Sequence, residues 1–202
     1  MKKLINLKEI LLMMTLATTT LFLVSCNNNQ RQQETNISAA KQNNEKFDNQ
    51  KQKNEAKFLV SAAENNLEQI QLGQLAQQKG SSTHVRELGK TMENEHAKSQ
   101  KKLKELAKSK NITIPSSLTN DSREVYNDLN SKSGNDFDKA YTSRMVKSHD
   151  KTISTYEKAS NDSQDMDIKN WASSSLPVLR SHYDRSIDSQ SNFDDKNLLK
   201  TN

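Results

Sequence analysis

A chain of 202 residues with 30 Lys or Arg, 25 Asp or Glu, four glycines and one cysteine is long enough for one domain and short for two. One cysteine excludes an internal disulfide framework and any CxxC redox pair, and so few glycines leave no phosphate-cradling loop. The formal charge of +5 falls to +3 once Lys2, Lys3, Lys8 and Glu9 leave with the segment before Cys26; with both signs interspersed in the remainder, nucleic acid is not an expected partner.

The first element is a leader. A basic start, "MKKLINLK", precedes the apolar run "ILLMMTLATTTLFLV", about 15 residues long where a spanning helix needs roughly 20. The run closes on "LVSC", which resembles a bacterial lipobox cleaved before Cys26. Residues 1–25 are therefore expected to be a lipoprotein signal peptide and Cys26 the lipidated residue. The protein would then sit in the bacterial cell envelope, periplasmic or outer-membrane associated, held to the membrane through that lipid. Residues 26–53 follow as a flexible tether, because 13 of the 27 positions after Cys26 are Asn or Gln and such a segment buries too little to offset its ordering entropy.

From residue 54 the sequence turns to long Gly- and Pro-poor stretches with helical periodicity. Helix A is predicted over Glu55 to Lys79 with Phe58, Ala62, Leu67, Ile70 and Leu75 inward, ended by Gly80. Helix B starts at Ser82 or Thr83, buries Val85, Leu88, Met92, His96, Leu103 and Leu106, and ends before "NITIPSS". Its last part, "KSQKKLKELAKSK", holds six lysines and one glutamate and reads as a solvated helix end that complements the macrodipole. A short helix lies in the connection from Asn111 to Gly134, with Asp121 and Glu124 as its capping box. Helix C runs from Asp136 to Ser160 on Phe137, Tyr141, Met145, Ile153 and Tyr156. Helix D runs from Gln164 to Gln190 on Ile168, Ala172, Leu176, Leu179 and Ile187, with Trp171 as a core anchor and Pro177 as a kink. Residues 193–202 are expected to be a disordered tail. The short A–B link makes those helices antiparallel, whereas the long B–C connection can cross a bundle, so residues 54–192 are predicted to form one monomeric all-α four-helix domain in up-down-down-up order.

The segments "FLVSAAENNLEQIQLGQLAQQKG", "SSTHVRELGKTMENEHAKSQKKLKELA", "GNDFDKAYTSRMVKSHDKTISTYEKAS" and "IKNWASSSLPVLRSH" together closely resemble the DUF4142 family of exported bacterial proteins. The likeness spans about residues 55 to 190 and is most specific at "LGQLA", at the repeated Met-x-x-x-His and at "LPVLRSH". It implies a ferritin-like four-helix bundle and no particular activity. One departure is Gln69, where the family commonly carries a glutamate before its Leu-Gly pair; Glu64 and Glu68 are the acids left nearby.

Histidine placement carries the remaining chemistry. His96 follows Met92 by four residues, His149 follows Met145 by four and His182 follows Leu179 by three, so all three face inward. His84 begins helix B and has no expected site role. Ferritin-like bundles build metal sites from inward carboxylates and Glu-x-x-His pairs. Here Glu93 and His96 make one such pair, but Val146 and Leu179 occupy the matching places before His149 and His182. The candidate metal set is Glu68, Glu93, His96, His149, Glu157 and His182, and the donor types suit Zn, Cu or Fe. The competing reading is a polar core cluster, each neutral imidazole bonded to Glu93, Glu157, Tyr141 or Tyr183. No Ser-His-Asp set suggests hydrolysis. The sequence thus favours a non-enzymatic envelope lipoprotein that binds an envelope partner or ligand, with a metal-binding or metal-dependent redox protein as the alternative. Ring nitrogens within about 4–5 Å of a common point would favour ligation.

Overall fold

In a computed structural model, residues 39–198 are described, with side chains through residue 191; the leader, Cys26 and the last four residues lie outside them. Six helices and no strand occur among the described residues: α1 at 39–46, α2 Gln50–Lys79, α3 Thr83–Ser109, α4 Asn120–Asn130, α5 Gly134–Asp162 and α6 Met166–Leu198. Helices α2, α3, α5 and α6 are the four predicted as A to D. None of the described helices is long and apolar enough to cross a membrane.

Side-chain oxygens set the helix starts by accepting otherwise orphaned N–H groups. Asn49 accepts from Lys51 N at 2.9 Å, Ser82 from Val85 N at 3.1 Å, and Asp165 from Asp167 N and Ile168 N at 2.9 and 3.2 Å. The short helix differs from expectation. Its cap is Thr119, which accepts from Ser122 N at 3.1 Å, so Asp121 stands in the first turn rather than at the cap. At the end of α3, Asn111 adopts φ 55°, and Ile112 N reaches back to Ala107 O at 2.8 Å. That closing turn tucks Ile112 into the core.

Cross-helix bonds establish the topology. Asp138 near the start of α5 accepts from Ser81 N, Ser81 Oγ and Ser82 N at 2.6 to 2.9 Å, and Glu55 near the start of α2 accepts from Ser163 Oγ, Gln164 N and Asp165 N just beyond the end of α5. Helices α2 and α5 are therefore antiparallel. Lys110, after α3, pairs with Asp165 and Asp167 at 2.6 Å, which makes α3 and α6 antiparallel as well. With two hairpins, α2–α3 and α5–α6, the order is up-down-down-up, as the loop lengths predicted. Each of these four helices packs chiefly on its hairpin partner.

The tight α2–α3 crossing explains the "LGQLA" motif. A Cβ on Gly73 would lie 2.6 Å from Gly89 O, and one on Gly89 would lie 2.7 Å from both Gly73 O and Ala76 Cβ. Only hydrogen at both positions allows that approach.

Two apolar clusters fill the bundle. One gathers Leu59, Ala63, Leu103, Tyr156, Ile168 and Leu176, with Trp171 packed against it as the expected anchor. The other gathers Leu72, Val85, Met92, Phe137, Tyr141 and Met145. Between them, α2 turns Asn66 and Gln69 fully inward and leaves Leu67 and Ile70 half-buried, contrary to the predicted stripe. Ile187 is likewise exposed rather than inward. A polar layer thus divides the core at mid-height.

Three boundaries move. Residues 39–53, expected in the tether, are ordered: Ala39 and Asn43 are buried, and Asn43 pairs with the Thr113 backbone, Nδ2 donating to its O at 2.7 Å and Oδ1 accepting from its N at 2.9 Å. The amide side chain satisfies both backbone groups of Thr113 in the irregular crossover, where no helix supplies them a partner, which is how an Asn-rich segment gains an ordered place. The boundary set at residue 54 consequently falls inside α2. Helix α6 runs unbroken through Pro177 and continues to Leu198, past the predicted end at Gln190 and into the expected tail.

Candidate metal centre

The polar layer holds the three inward histidines. His96 on α3, His149 on α5 and His182 on α6 are 2%, 2% and 3% exposed, and one ring nitrogen from each lies within 4.8 Å of the other two. Ring centroids are 5.2 to 5.5 Å apart. The three-helix convergence follows from equal depth: in an antiparallel bundle His96, His149 and His182 all fall at mid-height, and the Met-x-x-x-His spacing sets Met92 and Met145 one turn away in the apolar cluster.

Hydrogen bonds fix two of the tautomers. Asn66 Nδ2 donates to Ser99 Oγ and Gln100 Oε1, both at 3.2 Å, which leaves Asn66 Oδ1 to accept from His96 Nδ1–H at 2.9 Å. His149 Nδ1–H donates to Met145 O at 2.9 Å. With each ring's hydrogen committed at Nδ1, the Nε2 atoms are bare acceptors, and they face each other at 3.3 Å. Two lone pairs at that distance repel unless a cation lies against them. Neither nitrogen of His182 has a hydrogen-bond partner.

Burial keeps all three rings neutral, the form that ligates. It lowers His149 to about 4, against a smaller opposing effect of the Met145 carbonyl. Burial, then His149 and Arg185, lowers His182 to about 3. His96 is held well below 6.5, first by burial and then by its two neighbours.

The candidate carboxylates lie elsewhere. Glu68 is taken up by Arg144, whose Nε donates at 3.0 Å, and by Ser122 Oγ at 2.6 Å. Glu93 accepts from Gln74 and Gln77 at 2.8 and 2.6 Å on the α2–α3 surface, and those bonds lower its pKa. Glu157 pairs with Arg180 at 2.8 Å in solvent. Long side chains on an inward-leaning helix face reached these nearer partners instead of the histidines. None of Glu93, Glu157, Tyr141 and Tyr183 bonds an imidazole; Asn66 and the Met145 carbonyl do so instead. The six-residue candidate set reduces to three histidines, and a carboxylate-bridged di-metal centre does not fit. His84 is exposed and apart from them.

Sequence reasoning passed over Asn66 and Gln100. The available signal was position: Asn66 lies three and four residues after Ala63 and Ala62 on the buried stripe of α2. Chemically, three imidazoles without thiolate suit zinc, copper or iron. The 3.3 Å between Nε2 atoms matches the roughly 3.3–3.4 Å that separates two nitrogens on one tetrahedral ion with bonds of about 2.0–2.1 Å.

Comparison with curated proteins and with solved structures finds no match. The profile of the family described as Domain of unknown function (DUF4142) matches residues 29–187, most of the chain and all three histidines, and the protein belongs to that family.

Proposed function

We propose that the domain is a metal-binding module that holds one transition-metal ion, Zn(II) or a copper or iron ion of similar ligand preference, on His96, His149 and His182. The observation that supports this is the pair of bare Nε2 atoms confronting each other at 3.3 Å, beside a third imidazole with no partner. A buried ring nitrogen retained only for packing is expected to find a partner, and here the Nε2 atoms of His96 and His149 have no donor between them and His182 has no partner at either nitrogen, all at one point. Binding rather than turnover is the reading, since the convergent ring nitrogens are arranged as ligands to one point. The leader pattern and "LVSC" support a lipid anchor at Cys26 that holds this module in the cell envelope.

Chelator-stripped protein titrated with Zn(II) against a chromophoric competitor should bind about one ion per chain, and His96→Ala or His149→Ala should each abolish binding. Added Zn(II) should also raise the melting temperature by mass action. A wild-type protein that binds no stoichiometric metal among Zn(II), Cu(II) and Fe(II) would overturn the proposal.

A further inference from the structure

Of the three clustered histidines, His182 is the one that lines a surface groove. The groove, of about 470 Å³, lies between α3 and α6, and its charged walls are Lys90, Lys98, Arg185 and Glu95. Glu95 is the only acid among the described residues that line it. Its Oε2 lies 3.9 Å from His182 Nε2, too far for a hydrogen bond. Glu95 makes no other polar contact among the described residues, and His182 has none at either ring nitrogen. An unpaired carboxylate oxygen and an unpaired imidazole nitrogen therefore face each other across a gap. Two ligand atoms with bonds of about 2.0–2.2 Å to one tetrahedral ion stand about 3.3–3.6 Å apart, so a swing of a few tenths of an ångström by the half-exposed Glu95 side chain closes the gap onto a bridging cation.

We infer that Glu95 is the capture ligand of the metal centre, the carboxylate that takes a divalent cation from solvent at the groove and passes it across His182 to His96 and His149. The inference rests on the metal-centre reading and adds the route and the residue that controls it. Neighbouring positions on a helix differ by about 100°, so Glu95 reaches the groove while His96 reaches the centre. Lys90, Lys98 and Arg185 repel a divalent ion, and Glu95 supplies the one attractive charge on its path. Loading should therefore depend on Glu95 far more than folding does. A carboxylate at this step also selects Zn(II), Fe(II) or Mn(II) over soft Cu(I).

The test is stopped-flow loading of Zn(II) into chelator-stripped wild-type protein, Glu95→Gln and Glu93→Gln, with apo thermal unfolding as the folding check. Glu95→Gln should unfold like wild type and load at least ten-fold more slowly. Glu93→Gln, which removes an equal charge on the other side of the same helix, should load within two-fold of wild type. Loading of Glu95→Gln within two-fold of wild type would overturn the inference and leave the metal centre standing. Equal slowing in both variants would also overturn it, by reducing the effect to net charge. A wild-type protein that takes up no Zn(II) would remove the metal centre and this inference with it.

Discussion

Acid should destabilise the metal-free protein well above the range in which carboxylates titrate. In the unfolded chain each histidine protonates near 6.5, whereas burial lowers His149 to about 4 and His182 to about 3. The unfolded state therefore binds more protons over the window from about 6.5 down to those values, and stability falls as pH falls through it. Between pH 7 and pH 5 each of these two rings should remove about 2 kcal/mol, about 4 kcal/mol together, and His96 shifts in the same direction. That is a large fraction of a typical domain stability of about 5–15 kcal/mol. Glu93 and Asp165 have lowered pKa values and lose their contributions only at more acid pH. Glu64 is raised, chiefly by burial, and acts in the opposite direction. Urea unfolding in chelator, followed by helical circular dichroism at pH 7, 6 and 5, measures the slope. A His149→Ala variant should lose its share of that slope, and a wild-type stability constant within about 1 kcal/mol across the window would refute neutral burial of the cluster.

Gly89→Ala should destabilise the fold by roughly 1–3 kcal/mol in chemical denaturation, because its Cβ would meet Gly73 O and Ala76 Cβ at 2.7 Å; an unchanged midpoint would mean the crossing can relax. Asn66→Ala frees His96 Nδ1 and should weaken Zn(II) affinity by about 10–100-fold in a competition titration, with stoichiometry unchanged. Cys26→Ala should move the protein from the detergent phase to the aqueous phase on partitioning, and the mass of the wild-type mature N-terminus should show the lipid.

The three histidines were legible because methionine and leucine neighbours at helical spacing fixed their direction, and antiparallel topology then placed them at one level. Their company was not legible. Periodicity assigned Leu67 and Ile70 to the core by their apolarity, although the layer around the histidines selects Asn66, bonded to His96, Ser99 and Gln100, and Gln69, whose Nε2 donates to Ser148 Oγ. The glutamates failed for a different reason. Helix phase fixes where a Cβ points, but Glu68, Glu93 and Glu157 are long enough to swing to Arg144, two glutamines and Arg180. Glu95 escaped attention because it does not share the histidine face of its own helix; only α6 packing opposite brings His182 to it. The ordered place of Asn43 depended on a backbone segment some 70 residues later, a distance that local pattern does not span.

The division of the histidines between the two hairpins has a mechanical meaning. His96 belongs to α2–α3, which the Gly73–Gly89 crossing holds as one tight unit, and His149 and His182 belong to α5–α6. An ion shared by all three is a clasp across the seam, and its affinity measures how closely the two halves lie. Any load that spreads the halves must weaken the clasp, and by reciprocity a held ion must resist that load by the same free energy. With an ion held there, metal concentration and mechanical strain would be interchangeable inputs to a single joint in the middle of the bundle.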